Sequence, residues 1–189
     1  NYTKNDIVIH KSSYVAKNVT IGNGTRINGP SYITACQIGK YCAIAGNMQV
    51  RSTNHKTNFL ALQSHFQNEI LQSDIRLHGD KRTGVTIGSN VWIGTNVTLL
   101  DGAQIGHSSI IAAGSIVNKK FPPFSIIGGV PAKMLRMRFD NEICSNLADV
   151  HWWNLPLSEI IQIKHLFENE MNIAASKELN TFYHQHITR

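Results

Sequence analysis

A six-residue rhythm runs through most of this chain and leaves few architectures open to it. From Ile9 an aliphatic side chain recurs at Val15, Ile21, Ile27 and Ile33. A single step of five reaches Ile38, and steps of six resume at Ile44 and Val50. After an interruption the rhythm returns at Ile87, Ile93, Leu99, Ile105, Ile111 and Val117. Four positions beyond most of these stands a small or β-branched residue, among them Val19, Thr25, Ser31, Cys42, Val91, Val97, Ala103, Ser109 and Ser115, with Met48 the exception. A helix repeats about every 3.6 residues and a half-buried strand every two, so neither accounts for six. A short strand followed by a corner does. Three such sides close a coil of about 18 residues, and stacked coils bury a continuous aliphatic column. Glycine directly follows the aliphatic residue at Gly22, Gly39, Gly88, Gly94 and Gly106, where a sharp corner needs a residue without a Cβ.

Two stretches break the rhythm. Residues 51–86 hold no hexads and are rich in Asn, His, Gln and Lys; an interruption of this length inside a solenoid points to function. From Asp140 the pattern turns helical. Asp140 is placed to cap a helix with Ile143, Leu147 and Val150 on one face, and Pro156 opens a second bearing Ile160, Ile163 and Phe167. These helices are expected to cover the open end of the solenoid or a neighbouring subunit. From Ala174 to Arg189 no pattern is legible.

The hexads, with Ile87-Gly88-Ser89-Asn90-Val91-Trp92-Ile93-Gly94 and Phe121-Pro122-Pro123-Phe124-Ser125-Ile126-Ile127-Gly128-Gly129-Val130-Pro131-Ala132-Lys133, resemble the hexapeptide-repeat acetyltransferases of the maltose, galactoside and xenobiotic group. Arg138-Phe139 and the later Trp152-Trp153-Asn154 are most similar to the xenobiotic branch that acts on chloramphenicol and streptogramins. The resemblance implies a left-handed coil, a hand that general crossover rules would not favour. The expected fold is all-β: a left-handed parallel β-helix over residues 1–139 with the inserted loop 51–86, then a C-terminal helical extension over 140–189.

Within that resemblance His55, in Ser52-Thr53-Asn54-His55, stands where the related enzymes carry their catalytic histidine, beyond the coil and before the loop. Imidazole suits the task of taking a proton from an attacking hydroxyl or amine near neutral pH. The resemblance further implies direct transfer from acetyl-CoA, with the Thr95 amide donating to the tetrahedral oxyanion and Trp92 walling the donor. It assigns Ala113 to the pantetheine arm, and Asn118, Lys119, Lys133 and Arg136 to the nucleotide end. Basic residues do gather there, since Lys119, Lys120, Lys133, Arg136 and Arg138 fall close together in sequence. Asn118 and Lys133 depart from residues common in the sugar-transferase branch. A homotrimer with sites between neighbours is implied, as closed symmetry is the usual outcome for open prism faces. Each site would use His55 of one chain and Trp92 or the Lys119 region of another.

The formal charge of +6 suits a polyanionic ligand but equally nucleic acid or a membrane surface. Only Phe121, Phe124 and Phe139 accompany the basic residues, so no nucleic-acid partner is expected. No apolar run is long enough to span a membrane. Asn1-Tyr2-Thr3-Lys4-Asn5 lacks the layout of a signal peptide, and Cys36, Cys42 and Cys144 form no CxxC pair, so a cytoplasmic location is expected. No metal requirement is expected either. The remote alternative on this solenoid is a γ-class carbonic anhydrase, for which His65, His78 and His107 are the available zinc ligands. A non-catalytic scaffold is a further alternative. The leading expectation is O-acetylation of a sugar hydroxyl, with a xenobiotic O-acetyltransferase or an amino-sugar N-acetyltransferase as alternatives of the same chemistry. The acceptor, a small molecule or glycan, is not named by the sequence.

Overall fold

In the computed structural model, residues 2–4, 6–51, 55–77, 79 and 83–187 are described. The hexads coil into a left-handed parallel β-helix of about six turns with three faces. Face 1 stacks Ile7–Ile9, Arg26–Ile27, Ala43–Ile44, Trp92–Ile93, Ile110–Ile111 and Ser125–Gly129. Face 2 stacks Tyr14–Val15, Tyr32–Ile33, Gln49–Arg51, Thr98–Leu100 and Ile116–Val117. Face 3 stacks Thr20–Ile21, Cys36–Ile38, Val85–Ile87, Gln104–Ile105 and Lys120–Phe121. Antiparallel strands finish both ends of face 1, Tyr2–Lys4 on Ile7–Ile9 and Ala132–Met137 on Ser125–Gly129. They pair the edges a bare solenoid would leave open.

The core is the sequence rhythm made physical. Every aliphatic position from Ile27 through Val117 is buried, and so is the second set, Thr25, Ser31, Cys42, Met48, Val91, Val97, Ala103, Ser109 and Ser115. Each hexad therefore turns two side chains inward. The buried hydroxyls are satisfied locally: Thr25 Oγ1 donates to Gly39 O at 2.8 Å, and Ser125 Oγ to Pro122 O at 2.7 Å. The step of five between Ile33 and Ile38 falls at a corner, where Ala35 takes a φ of 39°. The long insertion leaves at the same corner one coil later. The strand before it lies on face 2 and the strand after it on face 3, so the insertion replaces one corner and no side.

The helical extension comprises α1 (Asn141–Leu147), α2 (Leu157–Gln162) and α3 (Ile173–His186), with short 3-10 turns at Trp152–Asn154 and Lys164–Phe167. Asp140 stands at the N-cap of α1, though its side chain makes no capping bond. The third helix was not legible in the sequence. Its Asn172 side chain caps the Ala175 N–H at 3.0 Å, and Leu179 and Tyr183 bury one face. Of the two placements expected for the extension, over the open end of the solenoid or against a neighbouring subunit, the first is not what the structure shows. The extension lies along the corner between faces 3 and 1. Trp153 stacks on His107 (4.8 Å between centroids), Trp152 meets Tyr41 (5.4 Å), and Lys40 Nζ donates to Asn154 Oδ1 at 3.0 Å. Ala132–Met137 extends face 1 at that end, and the helices pack on the corner column through Phe124.

Candidate active site

His55 stands at the neck of the insertion. Lys56 N–H donates to Leu77 O at 2.7 Å, and Leu77 is fully buried, so the outgoing and returning strands of the loop are held together beside the imidazole. Ser52, Thr53 and Asn54 lie outside the described residues. The loop's return is fastened by Asp101, whose carboxylate accepts from Gly84 N–H at 2.7 Å and Thr83 N–H at 3.3 Å. Neither Leu77 nor Asp101 carries a sequence signal for this role, because each acts only once the loop ends have met. Between the two ties the loop forms a short helical turn at Phe66–Ile70. Its composition reads as polar, yet Phe59, Leu60, Leu62, Phe66 and Leu71 gather around a shallow cavity of about 580 Å³. Leu60, Leu62 and Leu71 are exposed.

The other candidates divide between two corners. Thr95 and Ala113 follow one another up the corner between faces 1 and 2. Gly94 fits there only because it lacks a Cβ, which would stand 2.6 Å from Ala113 N. Thr95 Oγ1 donates to Gly46 O at 3.0 Å and its carbonyl accepts from Gly114 N–H at 2.9 Å, while no acceptor among the described residues takes its own N–H. Thr95 is thus an exposed residue held through its hydroxyl and carbonyl. Trp92 projects outward from the adjoining face 1 and is 57% exposed. At the top of this corner Lys133 pairs with Gly128, whereas Arg136, opposite Ile126, lies farther back along face 1 towards the corner between faces 3 and 1; both are exposed. Asn118 and Lys119, also exposed, lie instead on the corner between faces 2 and 3, the corner from which His55 emerges. One chain thus carries the imidazole on one edge of the prism and the candidate oxyanion donor on another.

Arg138 does not join the basic group it adjoins in sequence. Its Nη1 donates to Ser108 O at 2.7 Å on the corner between faces 3 and 1. Of the histidines weighed as zinc ligands, His107 accepts the Ser89 N–H on Nδ1 at 2.8 Å, and His65 belongs to the loop. His78 lies outside the described residues. Among the described residues no group of three His, Cys, Asp or Glu side chains is placed to hold a metal ion. No described helix is long and apolar enough to cross a membrane.

Comparison with known proteins agrees with the fold. The family description "Bacterial transferase hexapeptide (six repeats)" matches residues 84–119. A probable macrolide acetyltransferase of Lysinibacillus sphaericus is 33% identical over 146 residues, 72% of this chain and 78% of that one. The chain belongs to the hexapeptide-repeat acetyltransferase family. A chloramphenicol acetyltransferase of Escherichia coli is 35% identical over 128 residues, which are 65% of this chain. The match spans 61% of that enzyme's length. Among solved structures, a hexapeptide-repeat acetyltransferase from Vibrio cholerae, complexed with acetyl coenzyme A, superposes with a TM-score of 0.56 at 27% identity. It covers 71% of this chain and 72% of that one.

Proposed function

We propose that this protein transfers an acetyl group from acetyl-CoA to a hydroxyl group, with His55 as the general base and the Thr95 amide as oxyanion donor. The observation that carries the reading is the pairing of a histidine at the neck of the insertion with an unclaimed backbone N–H on a neighbouring corner. The likeness to an acetyl-CoA-bound structure supports the donor. In this mechanism His55 takes the acceptor's proton as its oxygen attacks the thioester carbonyl. The developing oxyanion receives the Thr95 N–H, and collapse expels the coenzyme A thiolate, which is reprotonated. Trp92 would flank the pantetheine arm beside Ala113, while Lys133, Arg136, Lys119 and Asn118 would meet the phosphates. Because the two halves lie on different corners, a complete site requires one copy's His55 corner against another copy's Thr95 corner, as a homotrimer provides.

Two acceptor classes have support. The sugar reading rests on face 2, where Tyr14 and Tyr32 stack at 4.7 Å with the Arg51 guanidinium 5.0 Å over Tyr32. This exposed aromatic platform leads along Gln49–Arg51 to the His55 loop, and a galactoside O-acetyltransferase is among the relatives. The apolar lining of the loop cavity favours a second reading, a hydroxyl on a hydrophobic xenobiotic, the class that the chloramphenicol and macrolide acetyltransferases among the relatives are named for. Coenzyme A release, measured across oligosaccharides, amino sugars and chloramphenicol, tests both. His55→Ala should lower the rate on the true acceptor by about 10²–10⁴. Full activity in that variant would remove His55 from the mechanism.

A further inference from the structure

The helical extension does not seal against the corner it packs on. Between them lies a cavity of about 610 Å³, within the roughly 300–1,000 Å³ of small-molecule sites. Its floor is the corner column Asn90, Ser108 and Phe124, whose φ values of 57°, 57° and 61° are left-handed. Such backbone is strained for a phenylalanine and persists where packing enforces it. Its walls are aromatic, with Phe139, Trp152, Trp153 and Phe167 all lining the space.

One cation stands in this aromatic-walled chamber, which Asn90, Ser108, Asn169 and Glu170 also line. The Arg138 guanidinium lies 4.8 Å from the Phe139 ring and donates to the Ser108 carbonyl. Among the described residues no Asp or Glu comes within ion-pairing distance of it. Burial lowers its pKa, the mark of a charge partly stripped of water. A desolvated charge without a counter-ion is costly, and a bound anion would offset that cost. Glu170, the carboxylate that lines the cavity, is exposed. A smaller cavity of about 230 Å³ shares Asn90 and Arg138 and extends along face 1 to Trp92.

We propose that this cavity is a small-molecule site for a flat aromatic carboxylate, its ring system against the wall of Phe139, Trp152 and Phe167 and its carboxylate on the Arg138 guanidinium. A planar carboxylate matches the guanidinium fork through two parallel N–H···O bonds, and its single charge is the least costly anion to bring between aromatic walls. The site involves neither His55 nor the Thr95 corner, and its ligand is no participant in acetyl transfer.

The test is calorimetric titration of the full chain with 2-naphthoate and with its neutral isostere 2-naphthamide, with thermal unfolding run on every variant. Wild type should bind one naphthoate per chain with millimolar or better affinity. Binding should weaken about tenfold or more for the amide, and likewise for naphthoate against Arg138→Gln, because a charge-assisted bond is lost in each case. His55→Ala should bind naphthoate as wild type does. Absence of naphthoate binding to folded wild type, equal binding of acid and amide, or unchanged affinity in folded Arg138→Gln would each overturn the proposal. Should Arg138→Gln fail to fold, the acid-against-amide comparison on wild type decides alone.

Discussion

Cys36 and Cys42 face each other's neighbourhood inside the prism, and their chemistry follows from that position. Burial, reinforced by Cys42, pushes the Cys36 thiol up to about 12, and burial raises Cys42 as well. Cys42 Sγ also donates to Gly88 O at 3.1 Å, a coil away. The thiolate is the reactive form, so both should be inert in the native protein. Labelling with a thiol-specific disulfide reagent at pH 8, counted by mass, should modify at most Cys144, which is only partly buried. Denatured protein should take up three labels. Rapid native labelling of Cys36 or Cys42 would mean that the coil opens there. His55 poses the opposite case, an exposed side chain whose value lies in access rather than burial.

At the scale of elements, the corners and the helical extension carry the testable consequences. Along the corner between faces 3 and 1, glycines let successive coils approach. A Cβ on Gly106 would stand 2.2 Å from Pro123 N, against backbone that cannot rotate away. Gly106→Ala should therefore destabilise by about 1–3 kcal/mol, as overpacking does, a loss readable by denaturant titration. An unshifted midpoint would show the coil spacing to be soft.

His107 couples this corner to the extension, lying against Trp153 and His151 (5.4 Å) and accepting the Ser89 N–H. Its pKa is lowered from 6.5, first by burial and then by His151. The unfolded chain thus binds the proton more readily than the folded one. Stability is complete above the unfolded pKa and declines as pH falls through 6.5 toward the lower folded value. Thermal unfolding between pH 7.5 and 5 should show this slope in wild type and a shallower one in His107→Gln. Identical slopes would assign the acid sensitivity elsewhere.

For the whole molecule, the division of site residues between two corners makes a prediction about assembly. His55→Ala removes the base from one corner. Ala113→Trp, at an exposed position, blocks the other. Each variant should be inactive by itself. If neighbouring chains build the site, coexpression of the two, with hybrids isolated on two affinity tags, should restore part of the turnover, because some interfaces then pair two intact corners. Hybrids with no more activity than their parents would locate the whole site within one chain. Sedimentation should show a trimer, and a fully active monomer would contradict the shared site.

How much was legible along the chain follows from the range of each interaction. The hexad period is local: inward residues, corner glycines and the interruption at residues 51–86 all repeat or fail within a few positions. They therefore appeared directly in the composition of each six-residue step, and Ile27 through Val117 proved buried as the period required. The position of His55 beside a break in that period was readable in the same way, and the structure places it at the neck of the insertion. The face each hexad occupies was not readable past the break. A loop of unknown phase separates Val50 from Ile87, and only strand pairing shows that it replaces a single corner. Hence the Lys119 region is expected from the sequence with Trp92 and away from His55, whereas the strand order puts Lys119 on the corner of His55 and Thr95 on another. The helix α3 escaped the sequence, its weakly amphipathic face gaining its meaning from packing on α1 through Asn146 and Ser176. Arg138 marks the limit most sharply. In sequence it counts as one of five neighbouring cations, but in three dimensions it turns to the Ser108 carbonyl on the opposite corner. Periodicity is written one coil at a time, whereas the partners of a long side chain depend on residues that meet only after the coils have stacked.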